Sequence, residues 1–290
     1  KNTIAALKKR NIEFDLVVQD EASKASPPEL ALPCLYGKKA VVIGDHRQLP
    51  PMVDTAEFID NLKMMSKKTK DEKNRSEIND LISYIKRNKE EFSISHFEKL
   101  FIGIDENLKS SFNVQYRMHP AINETIKQFY IADGGLECGI PDEIANSEDM
   151  SHPLNRYHGV TANKKTHVIW LDVASPEIKS GTSRVNYGEV QAVDWLLSYF
   201  KKSPGYKNFV DYWPAGDVEQ KQIGIITFYG AQAGLLNKLK DKYPDVPLRI
   251  SPVDRFQGME RNIVIVSLVR SNSIAEFPNQ APNMETYPEK

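Results

Sequence analysis

DLVVQDEAS at residues 15–23 is an apolar run that ends in two adjacent carboxylates, Asp20 and Glu21. A second run, KAVVIGDHRQLPP at residues 39–51, ends in a glycine that is followed by a polar turn. Short apolar runs that alternate with helical patterns are typical of a mostly parallel sheet, so the sequence predicts an α/β fold. Ligands of such sheets bind beyond the carboxyl ends of the strands, where both polar turns lie.

The same alternation continues along the chain. Apolar runs and helical spacing predict further strands at residues 167–172, 223–227 and 262–269, and helices at 118–130, 187–201 and 231–242. Two stretches interrupt this order. Residues 54–92 are rich in Lys, Glu and Asn and predict a surface insertion with a charged helix, whereas residues 133–165 predict a long irregular loop.

Composition limits the class of protein. The chain has 290 residues, enough for two domains, and 40% of them are hydrophobic, as in soluble globular proteins. Lys and Arg number 38 against 39 Asp and Glu, which argues against a protein that coats nucleic acid but allows a local basic groove. No apolar run approaches the ~20 residues of a membrane span, so we expect no membrane partner. Cys34 and Cys138 lack zinc spacing and fit an intracellular compartment, cytoplasmic or nuclear.

The two polar turns carry the groups that phosphate chemistry needs. In nucleotide hydrolases an Asp at a strand end holds Mg²⁺, usually through water, and a neighbouring Glu can deprotonate the attacking water. Asp20 and Glu21 have these positions, and the amide of Gln48 suits sensing of a γ-phosphate or its water. The alternatives are a solvated strand end for the acids and an ordinary polar turn for Gln48.

A second candidate site lies in QYRMHP at residues 115–120, just before a predicted helix. The planar fork of Arg117 can bind a phosphate and can stabilise the charge that develops during phosphoryl transfer. Pro120 falls in the first helical turn, where a missing N–H group costs little. The alternative for Arg117 is a surface salt bridge.

Two later segments place polar groups at helix starts. In IGIITFYGAQ, residues 223–232, Thr227 ends an apolar strand and the next residues open a helix, which is a place where phosphates bind. Helix capping and packing are an equal alternative for Tyr229 and Gln232. In SRVNYGE, Asn186 has the position of a helix N-cap, and Glu189 three residues later predicts a capping box.

These motifs together resemble a known family. DEAS followed by GDHRQLPP resembles motifs II and III of superfamily 1 helicases, in the subgroup of the nonsense-mediated-decay RNA helicase and its DNA-helicase relatives. QYRMHP resembles the motif that opens the second RecA-like domain, IGIITFYGAQ resembles motif IV, and VDRFQGME at residues 253–260 resembles motif V. The resemblance implies a RecA-like P-loop NTPase architecture that binds ATP between two α/β domains.

The resemblance also implies a role for each matching residue. Asp20, with Glu21 beside it, would form the magnesium site, and Glu21 would be the catalytic base. Gln48 would couple the γ-phosphate to the nucleic-acid site. Arg117 would be an arginine finger, and Tyr116 would stack on the adenine ring.

The last two motifs imply contacts with both ligands. Thr227 would touch a phosphate of the bound strand, with Tyr229 and Gln232 in the same nucleic-acid site. Glu260 would contact the sugar of ATP or the arginine network. Gln257 and Gly258 would form the turn between ATP and the strand.

Two motifs of that family have no counterpart in the sequence: the phosphate-binding loop G-x-x-x-x-G-K-[ST] and the arginine-bearing motif VI. We therefore expect a fragment. Residues 1–110 would be the C-terminal part of a first RecA-like domain, including the insertion at 54–92. Residues 111–290 would be a second RecA-like domain that is shortened at its C-terminus. We expect this chain alone to have little ATPase activity.

The function implied is Mg²⁺-dependent ATP hydrolysis that drives 5′-to-3′ movement along single-stranded nucleic acid. Two alternatives stay open: a non-catalytic remnant that binds nucleic acid or protein, and a nucleotide hydrolase that is not a helicase. The insertion at 54–92 is a candidate contact for a protein partner, although a solvated helix is the simpler interpretation. No motif reports contacts to a 2′-hydroxyl, so DNA and RNA both remain candidates.

Overall fold

A computed structural model describes residues 13–51, 55–88, 95–147, 150–152, 166–204, 206 and 223–271. The chain divides into two compact units, Lys1–Phe112 (unit 1) and Asn113–Lys290 (unit 2). The assignment of these units to two RecA-like domains stays a prediction. Within the described residues, no helix combines the length and the apolar character needed to cross a bilayer.

Unit 1 contains a two-stranded parallel sheet. Strands β1 (Val17–Gln19) and β2 (Ala40–Val42) pair in parallel, and helix α1 (Pro27–Cys34) connects them. Two features start α1: a capping box of Ser26 with Glu29, and prolines in the first turn, where a missing N–H is tolerated. Because the strands run in the same direction, their carboxyl ends lie at one edge of the sheet.

The insertion forms a helical hairpin with a core of its own. Helix α2 (Thr55–Lys68) packs on helix α3 (Glu72–Arg87), and helix α4 (His96–Gly103) follows. The aliphatic residues buried between α2 and α3 are Ile59, Leu62, Ile82 and Ile85. The sequence predicted one charged helix here, and the described residues of the insertion form two, because each helix needs a partner to bury its apolar stripe.

Unit 2 is built on a three-stranded parallel sheet. Its strands are β7 (Ile223–Thr227), β8 (Leu248–Pro252) and β9 (Ile263–Ser267), in the order β8-β7-β9. Strand β7 is central, which explains why nearly all of it is buried and why its sequence is continuously apolar. Helices α7 (Tyr187–Lys202), α8 (Gly230–Asn237) and α9 (Leu239–Lys242) supply the apolar side chains that cover the sheet.

Smaller elements surround this sheet. They are the parallel pair β3 (Val114–Gln115) and β4 (Glu137–Cys138), helices α5 (Pro120–Ile126) and α6 (Asp142–Ala145), and the antiparallel hairpin of β5 (Ile178–Ser180) and β6 (Ser183–Val185). A 3₁₀ segment, Lys127–Asp133, continues α5. The β5–β6 hairpin turns at Gly181, whose φ of 59° lies in the left-handed region that glycine favours.

The α/β class with parallel strands is confirmed, and the predicted strand at 223–227 and helix at 187–201 are found with nearly the same bounds. The predicted strand at 167–172 is wrong. That segment pairs with no strand among the described residues, and Trp170 there is 79% exposed. The predicted loop at 133–165 contains β4 and α6, and its residues 148–149 and 153–165 lie outside the described part of the chain.

Candidate functional site

The turn after β1 holds two carboxylates in an unusual backbone conformation. Glu21 has φ 54° and ψ 33°, the left-handed region that residues other than glycine rarely adopt. Oδ1 of Asp20 accepts a hydrogen bond from the Glu21 N–H at 2.8 Å, which stabilises the turn. Such strain persists only where the surroundings enforce it, and it clusters at functional sites.

The turn after β2 contacts the turn after β1. The N–H of Ala22 donates to the Ile43 carbonyl at 2.8 Å. Gly44 lies so close that an added Cβ would stand 2.9 Å from the backbone nitrogen of Ser23. Only glycine fits this approach, so the segments that resemble motifs II and III are packed together at one edge of the sheet.

Asp45 orients the side chain of Gln48. Its Oδ2 accepts from Nε2 of Gln48 at 2.8 Å, and its Oδ1 accepts from the Arg47 N–H at 3.0 Å. The next residue, His46, stacks on Phe101 of α4 with ring centroids 5.0 Å apart. The turn is therefore anchored on both sides, while Gln48 itself remains exposed.

The donor set of the first turn fits a magnesium ion that is bound mainly through water and phosphate. Mg²⁺ takes few protein carboxylates and keeps several waters. Asp20 is exposed, and its Oδ2 takes no part in the turn hydrogen bond. Glu21 forms an exposed ion pair with Lys24 at 3.1 Å. No group of three or more metal-binding side chains occurs among the described residues. A metal ion at this turn would therefore need ligands other than protein side chains to complete its coordination.

In unit 2, hydrogen bonds shape the loop that carries Arg117. Oε1 of Gln115 accepts from the N–H groups of Arg117 at 2.8 Å and Met118 at 2.7 Å. Nδ1 of His119 accepts from the Ala121 N–H at 3.1 Å and so caps α5. The side chains of Gln115 and His119 therefore stabilise the backbone of this loop, and none of these bonds involves the Arg117 side chain.

Arg117 forms an ion pair with Glu260, with Nε and Oε1 2.5 Å apart and side chains 69% and 54% exposed. The segments that resemble the domain-opening motif and motif V thus meet through the two residues singled out in them. An exposed pair of this kind contributes little to stability, so both groups are available to a ligand. Gly258, with φ 80°, makes the turn before Glu260.

Tyr116 presents an exposed ring beside this pair. Its side chain is 73% exposed, and an added Cβ at Gly139 would stand 2.3 Å from its Cε1 atom. One edge of the ring therefore rests on a glycine of the loop after β4. An exposed aromatic ring held at one edge offers its face to a planar partner such as a base.

The residues predicted to touch nucleic acid divide into two groups. Thr227 and Gln232 are both 0% exposed, so neither side chain reaches the surface of unit 2. The amide of Gln232 bonds within the protein: Oε1 accepts from Asn186 N–H at 2.9 Å, and Nε2 donates to Ser267 Oγ at 3.0 Å. Gln232 is therefore a packed side chain in this structure, which is the alternative stated for it from the sequence. Tyr229 is partly exposed and is the member that keeps a surface position.

A buried polar network joins the start of α7 to the end of β9. Asn186 caps α7 as predicted, by accepting from the Glu189 N–H at 3.1 Å. The reciprocal half of the predicted capping box is wrong, because the Glu189 carboxylate binds Ser267 Oγ at 2.5 Å and the Val269 N–H at 2.9 Å instead. Val269, a β-branched residue with φ 69°, is held in the left-handed region by these bonds.

A second charged group, which no sequence motif indicated, is centred on Glu177. This buried carboxylate forms ion pairs with Arg184 of β6 and with Nε of Arg270, the latter at 2.8 Å. Arg270 also hydrogen-bonds to Tyr229, which together with Glu177 raises the pKa of its guanidinium. In SRVNYGE the sequence pointed to Asn186 and Glu189, and nothing in that segment marked Arg184.

Three histidines meet near α5. The rings of His119 and His167 stack with centroids 3.5 Å apart, and His152 meets His167 edge-on at 5.8 Å. Burial, with the neighbouring His119 and His152, lowers the pKa of His167 from 6.5 to about 4. The stack therefore holds a neutral ring at neutral pH.

Comparison with known proteins gives this geometry a family. A family model described as an AAA domain matches residues 92–283, and a second AAA domain model matches residues 2–56. Among curated relatives, the yeast Saccharomyces cerevisiae "DNA replication ATP-dependent helicase/nuclease DNA2" is 29% identical over 276 residues, which are 90% of this chain and 15% of the relative.

Two further relatives carry RNA-related and DNA-related names. The Arabidopsis thaliana "Regulator of nonsense transcripts 1 homolog" is 29% identical over 92% of this chain and 18% of its own length. The Schizosaccharomyces pombe "DNA polymerase alpha-associated DNA helicase A" is 26% identical over 91% of this chain and 33% of its own length. The chain thus spans a third or less of these relatives. Because one family model covers well over half of the sequence, the chain belongs to the AAA-domain helicases of superfamily 1.

Proposed function

We propose that this chain is part of an ATP- and Mg²⁺-dependent helicase that moves 5′-to-3′ along single-stranded DNA or RNA. The observation that carries the proposal is the contact between the turns after β1 and β2. There Glu21 adopts a left-handed conformation and Gly44 packs against Ser23. This places two carboxylates and an amide at the edge of the sheet where α/β proteins bind ligands. The relatives named as ATP-dependent helicases support the reaction class.

In unit 1, each group has one chemical task. Asp20 would hold Mg²⁺ through water, and the ion would neutralise charge on the β- and γ-phosphates when bound. Glu21 would take a proton from the attacking water. Gln48, held by Asp45, would orient that water or sense the γ-phosphate. The ion pair of Glu21 with Lys24 would have to open before Glu21 acts as a base.

In unit 2, Arg117 would bind the γ-phosphate of ATP and stabilise the charge that develops during its transfer. Binding would draw Arg117 away from Glu260, so the exposed ion pair is a resting position. The freed Glu260 would then be available to the ribose hydroxyls. Tyr116 would stack on the adenine, and the turn at Gln257 and Gly258 would lie beside the nucleotide.

The proposal is tested on the longest natural polypeptide that contains this sequence. We expect ATP hydrolysis that requires Mg²⁺, is stimulated by single-stranded nucleic acid, and supports strand displacement from a 5′ overhang. Glu21→Gln should lower kcat by about 10²- to 10⁴-fold, the contribution of a general base.

The matched control is Glu106→Gln, because Glu106 also places an exposed carboxylate in an i,i+3 ion pair, with Lys109 at 2.7 Å. That variant should keep the wild-type rate. Equal rates for both variants, or hydrolysis without strand displacement, would reject the helicase proposal. The 290-residue chain by itself should show little turnover, because its sequence contains no G-x-x-x-x-G-K-[ST] loop to cradle the phosphates.

A further inference from the structure

A basic patch lies where β6, β7 and β9 bring their ends together in unit 2. We define the patch by its four exposed or partly exposed members, Lys179, Arg184, Tyr229 and Arg270. The segments that carry them are joined by hydrogen bonds. Ser183 Oγ accepts from the Ala231 N–H at the start of α8, and Arg270 bonds to Tyr229.

The β5–β6 hairpin puts two of these cations side by side. Lys179 and Arg184 are directly paired in the antiparallel register, so their side chains project from the same face of the hairpin. Glu177 lies two residues before Lys179, and alternation along the strand gives it the same face. The hairpin thus presents one buried acid and two cations to the same side.

Glu177 acts as an anchor for the arginines. It is 9% exposed, and its two oxygens bind Arg184 and Arg270, whose side chains remain 37% and 60% exposed. Its N–H also donates to Ser271 Oγ at 2.9 Å, and its Oε2 accepts from the Ser271 N–H at 3.2 Å. A guanidinium has five N–H donors, so pairing with one carboxylate oxygen leaves others directed to solvent.

The pre-ordered cations suit a phosphate chain better than a single anion. Two arginines pair with one buried carboxylate, Lys179 stands opposite Arg184 in the hairpin, and Tyr229 contributes a partly exposed aromatic ring. A groove that combines fixed positive charge with an aromatic ring is the usual arrangement for single strands, whose phosphates repeat and whose bases stack. The arginines are already held in place, so less side-chain entropy is lost when they bind.

We propose that Lys179 and Arg184, together with Arg270, bind consecutive phosphates of single-stranded nucleic acid in unit 2. The inference rests on the proposed function and assigns its strand contacts to this patch, in place of the buried Thr227 and Gln232. Neither Lys179 nor Arg184 was singled out in the sequence motifs, so the patch adds two residues to the candidate strand contacts.

The test is titration of the 290-residue chain into fluorescently labelled oligo-dT and oligo-rU, with anisotropy measured from low to moderate salt. We expect Arg184→Ala and Lys179→Ala each to weaken binding by about three- to tenfold, as for one lost charge-assisted contact. Each should also reduce the slope of log K against log salt by about 0.7. Arg184→Lys, which keeps the charge, should fall between Arg184→Ala and the wild type.

The matched control is Lys240→Ala in α9, which removes the same charge beyond the far end of α8, about 12 Å away along that helix. It should bind as the wild type does. Arg184→Ala could unfold the protein because Glu177 loses a partner. In that case the affinity of Lys179→Ala tests the inference by itself, because Lys179 is exposed and its loss should leave the fold intact.

The outcomes separate the two proposals. Binding by the wild type that Lys179→Ala and Arg184→Ala leave unchanged would overturn this inference and leave the helicase proposal standing. A wild-type chain that binds neither oligonucleotide would reject strand binding by this chain and the inference with it. Pyrophosphate and sodium chloride are compared as competitors at equal ionic strength. If pyrophosphate displaces the oligonucleotide at an ionic strength at which sodium chloride does not, the patch binds a small anion and the inference is overturned.

Discussion

Replacing Gln232 with leucine distinguishes a packing role for this residue from a nucleic-acid contact. The substitution keeps the volume of the buried side chain but removes the bonds of the amide to Asn186 and Ser267. The N–H of Asn186 would then be buried without a partner, because Asn186 is 1% exposed. We expect unit 2 to lose stability while its affinity for a single strand stays unchanged.

The magnitude follows from what each group retains. The carbonyl of Asn186 still accepts from Val190 N–H at 3.2 Å, and Ser267 still bonds to Glu189. The main cost is therefore one orphaned N–H group, about 1–3 kcal/mol, with about 1 kcal/mol more for the remaining lost bonds. The expected loss in the free energy of unfolding is about 2–4 kcal/mol.

Urea unfolding followed by tryptophan fluorescence measures this loss in unit 2 alone, because all three tryptophans lie after residue 113. The midpoint should fall with little change in the slope m. Gln128→Leu is the control: the Gln128 side chain is exposed and its amide donates to the Thr125 carbonyl at 2.9 Å, so its loss should cost within about 0.5 kcal/mol. A Gln232→Leu protein of wild-type stability that binds oligonucleotides more weakly would refute the packing argument.

Two further predictions concern unit 2. Gly188→Ala should lower the free energy of unfolding by about 1–3 kcal/mol, because the new Cβ would stand 2.3 Å from Ser175 Cβ. Gly234→Ala, which has open space around it, should raise the free energy of unfolding by up to about 1 kcal/mol. Equal effects of the two substitutions in urea titrations would contradict this prediction. His167, with its pKa lowered to about 4, should make stability fall as pH drops from about 6.5 towards 4, because the unfolded chain binds the proton more readily. His167→Gln should flatten that profile between pH 7 and 4, and an unchanged profile would exclude His167 as its cause.

Local pattern predicted some elements well and failed where tertiary partners decide. Strand β7 matched to the residue because a continuously apolar run can only be a buried central strand or a buried helix, and five residues are too few for a helix. The run at 167–172 is equally apolar, but a strand also needs a hydrogen-bonding neighbour, which periodicity does not report.

The candidate site shows the same limit. The position of the acids after β1 was predictable because it follows from the strand end, whereas the left-handed conformation of Glu21 was not. The burial of Gln232 was not predictable, since its partners Asn186 and Ser267 lie 46 and 35 residues away. The Glu177 anchor was missed for the same reason, because Arg270 is far away in the chain and becomes its neighbour only in the fold.

We propose that Glu21 and Arg117 act in the same step of ATP hydrolysis. The most direct measurement is kcat for the longest natural polypeptide that contains this sequence, with Glu21→Gln, with Arg117→Ala and with both changes. Groups that act as one unit show strongly non-additive losses, so we predict that the double variant is hardly slower than the slower single variant. Wild-type turnover in Arg117→Ala, or losses that multiply in the double variant, would contradict the claim.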